Sequence, residues 1–170
     1  VAESARLAAL KYLCDYLETE VSVANGYNYD LVDAVFRGRM EFGEDDPLPR
    51  ISVLEGLNAD REPVTAGTGS HTQKDNWIIL LQGQVPDDPE NPTDPAHNCM
   101  ADVKAAIGKL RKAMSELDGR FTGTPWQVIT DLGIEPGTVR PPDQLSNKAF
   151  FWIRVVLKIV EEMDDPYWRP

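Results

Sequence analysis

Residues 149–161 read Ala-Phe-Phe-Trp-Ile-Arg-Val-Val-Leu-Lys-Ile-Val-Glu, and no other stretch restricts the fold so tightly. Phe151, Ile153, Val155, Leu157 and Ile159 occupy every second position and are all apolar. Between them Trp152, Arg154, Val156, Lys158, Val160 and Glu162 mix polar and apolar types. A period of two, rich in β-branched and aromatic side chains, predicts a long strand with one buried face. A helix would also align Arg154, Lys158 and Glu161 or Glu162; the β-branched content favours the strand. Its second face is unusual. Trp152, Val156 and Val160 are too apolar for open water, and the charges among them suit a subunit interface.

Such a strand needs partners, and the chain supplies them in order. Residues 3–19 predict a helix, with Ala9, Leu10, Leu13, Cys14 and Leu17 at three- and four-residue spacing. Residues 31–42 alternate. Val32, Ala34, Phe36, Met40 and Phe42 face one way; Asp33, Arg37, Arg39 and Glu41 face the other, and Gly38 suggests a bulge. Residues 48–56 predict a second strand, paired with the first as a hairpin, with Pro49 held to an edge or to the strand's beginning. Residues 58–75, which include His71, have no apolar period and read as a flexible arm.

Residues 77–85 predict a central strand, apolar on both sides until Gln82. Residues 86–95 hold four prolines and the acids Asp87, Asp88, Glu90 and Asp94, which predict an acidic loop ending in a helix cap. The second helix is expected over 95–117, carried by Ala96, Met100, Val103, Ile107, Leu110, Met114 and Leu117, with Lys104, Lys109, Arg111 and Lys112 on its other faces. Residues 120–148 fix less: Thr124-Pro125-Trp126 caps a short helix running to Leu132-Gly133 or opens an irregular extended piece. Tyr167 and Trp168 place two aromatics in the tail, where such residues often pack on a neighbour. The expected architecture is one α+β domain spanning 1–170. It has two layers, a mainly antiparallel four-stranded sheet with two main helices on one face.

Composition narrows the function. With 28 acidic against 17 basic residues the net charge is −11, which opposes wrapping of nucleic acid. Cys14 and Cys99 each fall within a helical pattern and read as free, buried thiols in a reducing compartment. His97-Asn98-Cys99 has no recognised metal spacing. No apolar run approaches the ~18 residues of a membrane span and no secretory signal opens the chain. The missing initiator Met reads as removal or trimming. Phosphate-loop, nucleophile-elbow, zinc-protease and redox motifs are absent from the sequence. The carboxylates of the proline-rich loop read as solvated, so no catalytic group, cofactor or metal is expected. Arg37 and Arg39 suit a salt bridge or a protein interface better than DNA.

Several segments in order resemble one family. A helix leads into Val35-Phe-Arg-Gly-Arg39 and Pro49-Arg-Ile-Ser-Val-Leu-Glu55; Trp77-Ile-Ile-Leu-Leu-Gln-Gly83 runs into the 87–96 loop and Met100-Ala-Asp-Val-Lys104; Val139-Arg-Pro-Pro142 precedes Phe150-Phe-Trp152. The chain resembles the tail terminator, or tail completion, proteins of tailed bacteriophages. The resemblance implies a non-enzymatic virion protein, assembled in the host cytoplasm, that forms a hexameric ring on the finished tail tube. It implies three protein partners: further copies of the chain, the tail tube protein and a head-side connector. DNA would pass through an acidic lumen without specific binding. Another neck (stopper) ring of the same machine, or an acidic protein-binding module, would share several of these features. The contact residues to expect are His71, the acids Asp87, Asp88 and Glu90, the sheet residues Trp152, Arg154 and Lys158, the arginines Arg37 and Arg39, and the tail aromatics Tyr167 and Trp168.

Overall fold

The computed structural model describes residues 2–56, 71–116, 121–140 and 147–170. Its elements are β1 (Glu3–Ser4), α1 (Ala5–Glu20), β2 (Val35–Arg37), β3 (Arg50–Glu55), β4 (Thr72–Pro86), α2 (Asp94–Glu116), β5 (Ile129–Ile134), β6 (Thr138–Val139), β7 (Lys148–Glu162) and β8 (Tyr167–Trp168). Single 3₁₀ turns stand at Val23–Asn25 and Pro125–Val128. The fold is α+β: the described residues form two helices, a mixed six-stranded sheet in the order β2-β3-β4-β7-β5 with β6 also on β7, and the separate pair β1-β8.

The long alternating stretch is a strand, and it is central. β7 pairs antiparallel with β4 in unbroken register from Pro86↔Lys148 to Thr72↔Glu162. Alternation sends Trp77, Ile79, Leu81 and Val85 of β4 to the same side as Ala149, Phe151, Ile153, Val155, Leu157 and Ile159 of β7, and all of these are buried. The helices supply the opposing surface through Leu13, Cys14 and Leu17 of α1 and Cys99, Val103, Ala106, Ile107 and Leu110 of α2. Each fully buried Leu or Ile contributes ~1.5–3 kcal/mol of transfer free energy. Opposite Phe151 stands Gly83, where an added Cβ would lie 2.0 Å from the Phe151 ring. The ring therefore lies over bare backbone, which explains a glycine in the middle of a sheet.

Four expectations are corrected. First, the strand expected over 31–42 shrinks to Val35–Arg37. Asp33 at φ 55° and Gly38 at φ 65° bracket it in the left-handed region and turn the chain out of the sheet on both sides. Val32 and Met40, expected to be inward, are exposed. Second, β2 and β3 do not form a hairpin but pair in parallel, Val35↔Ile51 to Arg37↔Val53, because residues 38–49 carry the chain back outside the sheet. Third, the arm expected over 58–75 begins β4 at Thr72; its polar residues are held by pairing to β7 and by Arg6, whose guanidinium reaches Asp75 at 2.9 Å and Glu161 at 2.8 Å. Residues 58–70 lie outside the described residues. Fourth, the sheet has six strands rather than four. β5 and β6 fall in the segment that fixed least. A register shift between Ile129 and Asp131 puts Ile129 and Leu132, three residues apart, both inward, which hides the period of two.

The described helix ends are close to expectation; the end expected at residue 117 lies outside the described residues. Ser4 caps α1, its Oγ accepting from Leu7 N–H at 3.1 Å. Asp94 lies inside the first turn of α2 rather than before it. The cap at Thr124 is present, its Oγ1 accepting from Trp126 N–H at 3.3 Å, but it starts only a 3₁₀ turn that ends at Val128; from Ile129 the helix expected to Leu132-Gly133 is replaced by strand β5. Cys14 and Cys99 are free and buried, and burial raises both thiol pKa values to about 12. Among the described residues no helix is long and apolar enough to cross a membrane.

Candidate functional site

The sheet face turned away from the helices holds the clearest candidate contact surface. Register places Ile78 beside Val156, Leu80 between Leu54 and Arg154, and Gln82 between Ser52 and Trp152. Lys74 stands opposite Val160, and Gln84 between Arg50 and Phe150. Ile78, Leu80, Leu54, Phe150, Trp152, Val156 and Val160 are all half-buried. Of the cations on this face, Arg154 and Lys158 lean to the β5 side. Arg154 reaches Glu135 at 3.3 Å and Lys158 reaches Asp131 at 3.5 Å, with every partner about half exposed. Pairs so open to water are worth ~1 kcal/mol or less. They keep the margin of the face polar without tying it down.

At the β2 end of this face, residues 38–49 fold into a braced projection. The Arg39 guanidinium sits 5.0 Å from the Phe36 ring and 4.7 Å from the Phe42 ring, and pairs with Asp46 at 2.6 Å. Asp46 also accepts from Gly43 N–H at 2.7 Å. The Gly43 and Arg39 contacts hold its carboxyl below the usual range, backbone hydrogen bond first. Arg50, only 2% exposed, lies 4.0 Å from the Phe42 ring and donates to Gln84 Oε1 at 2.7 Å. Desolvation lowers the pKa of its guanidinium, while the nearby Asp46 charge opposes that. Phe42 thus rests between two guanidinium groups.

The remaining expected contact residues are scattered. Arg37 is exposed at the end of β2, on the sheet's outer edge. His71 is exposed just before β4, and its carbonyl accepts from Met163 N–H at 2.7 Å. Asp87 N–H donates to the Asn147 carbonyl at 3.2 Å. Asp88 Oδ1 accepts from Glu90 N–H at 2.8 Å and Asn91 N–H at 3.3 Å, an Asx turn that stiffens the acidic loop; Glu90 itself is exposed. Tyr167 and Trp168 pack on their own chain, as β8 against β1 with Ser4↔Tyr167 and Glu3↔Trp168, and Tyr167 remains 50% exposed. Trp152, Arg154 and Lys158 are thus brought together on one face. Arg39 lies on the projection at its β2 end, while His71, the acidic loop and the tail lie elsewhere.

Sequence reasoning missed three things here. Ile78 and Leu80, expected on a strand apolar on both sides, lie on a face that no helix of the described residues covers. The braces from Arg50 and Phe42 need the fold to become visible. A cleft at the opposite end of the sheet, between α2 and β5, brings Arg111 and Lys112 beside Thr130 and Asp131; its β half was not foreseen. Among the described residues no group of His, Cys, Asp and Glu is arranged to hold a metal ion. No protein-family model matches the chain, and no curated protein matches it.

Proposed function

We propose that this chain is a structural protein of a tailed-phage virion. It closes as a ring of six on the end of the tail tube, stops tube polymerisation and forms the surface that joins the head. The observation that carries the reading is the sheet face that no helix of the described residues covers. It sets Leu54, Ile78, Leu80, Trp152, Val156 and Val160 side by side with a loosely paired charged margin, the anatomy of a protein contact rather than of a solvent face. The ordered segments that resemble tail terminators supply the biological setting.

The partners are then further copies of the chain, the tail tube protein and a head-side neck protein. Six copies at −11 each carry 6 × −11 = −66 formal charges, and an acidic channel lets DNA pass without sticking. The test is the mass of the purified protein in solution together with its effect on growing tail tubes. A hexamer that caps tubes and halts their growth is the expected result. A monomer or dimer without effect on tubes overturns the reading in favour of an acidic binding module. Imaging that finds the ring at the capsid vertex, off the tube end, assigns it to the neck instead. A basic lumen overturns the account of DNA passage.

A further inference from the structure

The two outer edges of the main sheet are different surfaces. β2 closes one and β5 the other, with β3, β4 and β7 between them, so they stand roughly 19 Å apart at ~4.8 Å per strand. Beyond β2 stands the braced 38–49 projection. What it holds outward is Met40, 71% exposed, and the carboxylates of Glu41, Glu44 and Asp45, all exposed. Asp46 is occupied by Arg39, so these three acids are the free charge of the tip. Beyond β5 lies a cleft of about 460 Å³ between the last turns of α2 and the strand, lined by Arg111, Lys112, Met114, Ser115, Thr130 and Asp131. Arg111 is exposed, and Lys112 reaches Glu116 only at 3.5 Å with both side chains more than half open to water. Met114 is half-buried under Trp126, whose indole N–H points at its sulfur at 3.2 Å, and gives the cleft an apolar wall.

We propose that the projection of one copy seats in the α2–β5 cleft of the next. Glu44 and Asp45 face Arg111 and Lys112, and Met40 lies against the Met114 wall. The partner is a second copy because the chain itself carries both halves, complementary in charge, one held out and one recessed, on opposite edges of one sheet. A contact between two different patches is heterologous, and repeated around an axis it closes a ring. The bracing of the projection by Arg39 and Arg50 means little ordering is left to do on binding, and a thioether adapts to an irregular wall. This inference rests on the ring reading and names the contact that would build the ring.

The experiment uses the full chain in three charge-reversed forms. E44K/D45K reverses the projection, R111E/K112E reverses the cleft, and the third form carries all four changes. Circular dichroism checks that each is folded, and light scattering over a concentration series gives the mass. Each two-site variant is expected to weaken assembly by roughly tenfold or more, and the four-site variant to recover it, since opposed charges across an interface are attractive whichever side carries which. Unchanged assembly in both two-site variants overturns the contact while leaving the ring intact. Loss in both without recovery in the four-site form overturns the pairing of these two patches. Normal assembly with lost capture of tail tubes gives the cleft to the tube protein instead. A monomeric unaltered chain removes the ring reading and this contact with it.

Discussion

Asn28 is held by Asp102 through two bonds at once: the Asn28 backbone N–H donates to Asp102 Oδ2 at 2.8 Å and its side-chain amide to Oδ1 at 2.9 Å. Tyr29 N–H adds a third at 3.1 Å. A carboxylate only 5% exposed on α2 thereby fixes the loop that leads from α1 to β2. Replacing it, as Asp102→Ala, leaves these N–H groups facing an apolar side chain. The expected loss is about 2–4 kcal/mol of stability in urea unfolding, and a change under 0.5 kcal/mol would show that the loop is held by other means.

Gly83 under the Phe151 ring gives a second prediction. Gly83→Ala places a methyl where the ring lies, so it is expected to destabilise by about 1–3 kcal/mol through overpacking. In a Phe151→Leu background the same alanine should be less harmful. Additive effects in that double-mutant cycle would mean that the two positions do not meet.

The thiols predict a pH dependence. Burial raises Cys14 and Cys99 from an ordinary 9.0 to about 12, so between those values the unfolded chain has lost protons that the folded one keeps. The neutral thiols' contribution to stability is complete below about 9 and declines as pH rises towards 12. At pH 8 both thiols should react with a thiol reagent only as fast as the fold opens. Immediate stoichiometric labelling of the native protein would contradict their burial.

The sheet face that no helix of the described residues covers predicts a separation of folding from tube capture. Val156→Asp changes a half-buried position beside Ile78. Its circular dichroism spectrum and its mass in solution should stay native while its capture of tail tubes is lost. Undiminished capture would place the contact with the tube elsewhere.

Arg6 predicts a salt effect. It bridges Asp75 of β4 and Glu161 of β7, and its guanidinium lies 5.3 Å from the Trp77 ring centre. Arg6→Lys keeps the charge but loses the fork that serves two carboxylates. A loss of about 1 kcal/mol is expected, shrinking at high salt because the group is partly open to water. No change in thermal unfolding at low salt would count against the bridge.

How much of this was legible depended on periodicity. β7, α1 and α2 could be read because their apolar residues repeat without interruption: Phe151 to Ile159 by twos, Leu10 to Leu17 and Val103 to Leu110 by threes and fours. Elements whose period is broken were lost or misplaced. The bulge beside Thr130 hid β5, and left-handed Asp33 cut short the strand expected before Gly38. Polar residues at the start of β4 joined the sheet for reasons no local pattern carries, namely a partner strand some eighty residues on and an arginine from α1. The candidate surface was half legible. The mixed character of Trp152, Arg154, Val156 and Lys158 showed in the sequence. Its neighbours Leu54, Ile78 and Leu80 acquire a face only from register, and the cleft at Arg111 exists only because two distant segments meet.

The order of synthesis gives the position of β7 a further meaning. The strand at the middle of the sheet is the last long one to be made, so while the chain emerges β4 has β3 on one side and nothing on the other. Translation at ~5–20 residues per second leaves that apolar edge waiting for several seconds, long on the ~1–10 μs scale of hairpin formation. A nascent chain of this design is exposed to mispairing with its siblings on the same messenger until Lys148–Glu162 is released. Growth at lower temperature or with a holding chaperone should therefore raise the soluble yield more than any change to the finished fold.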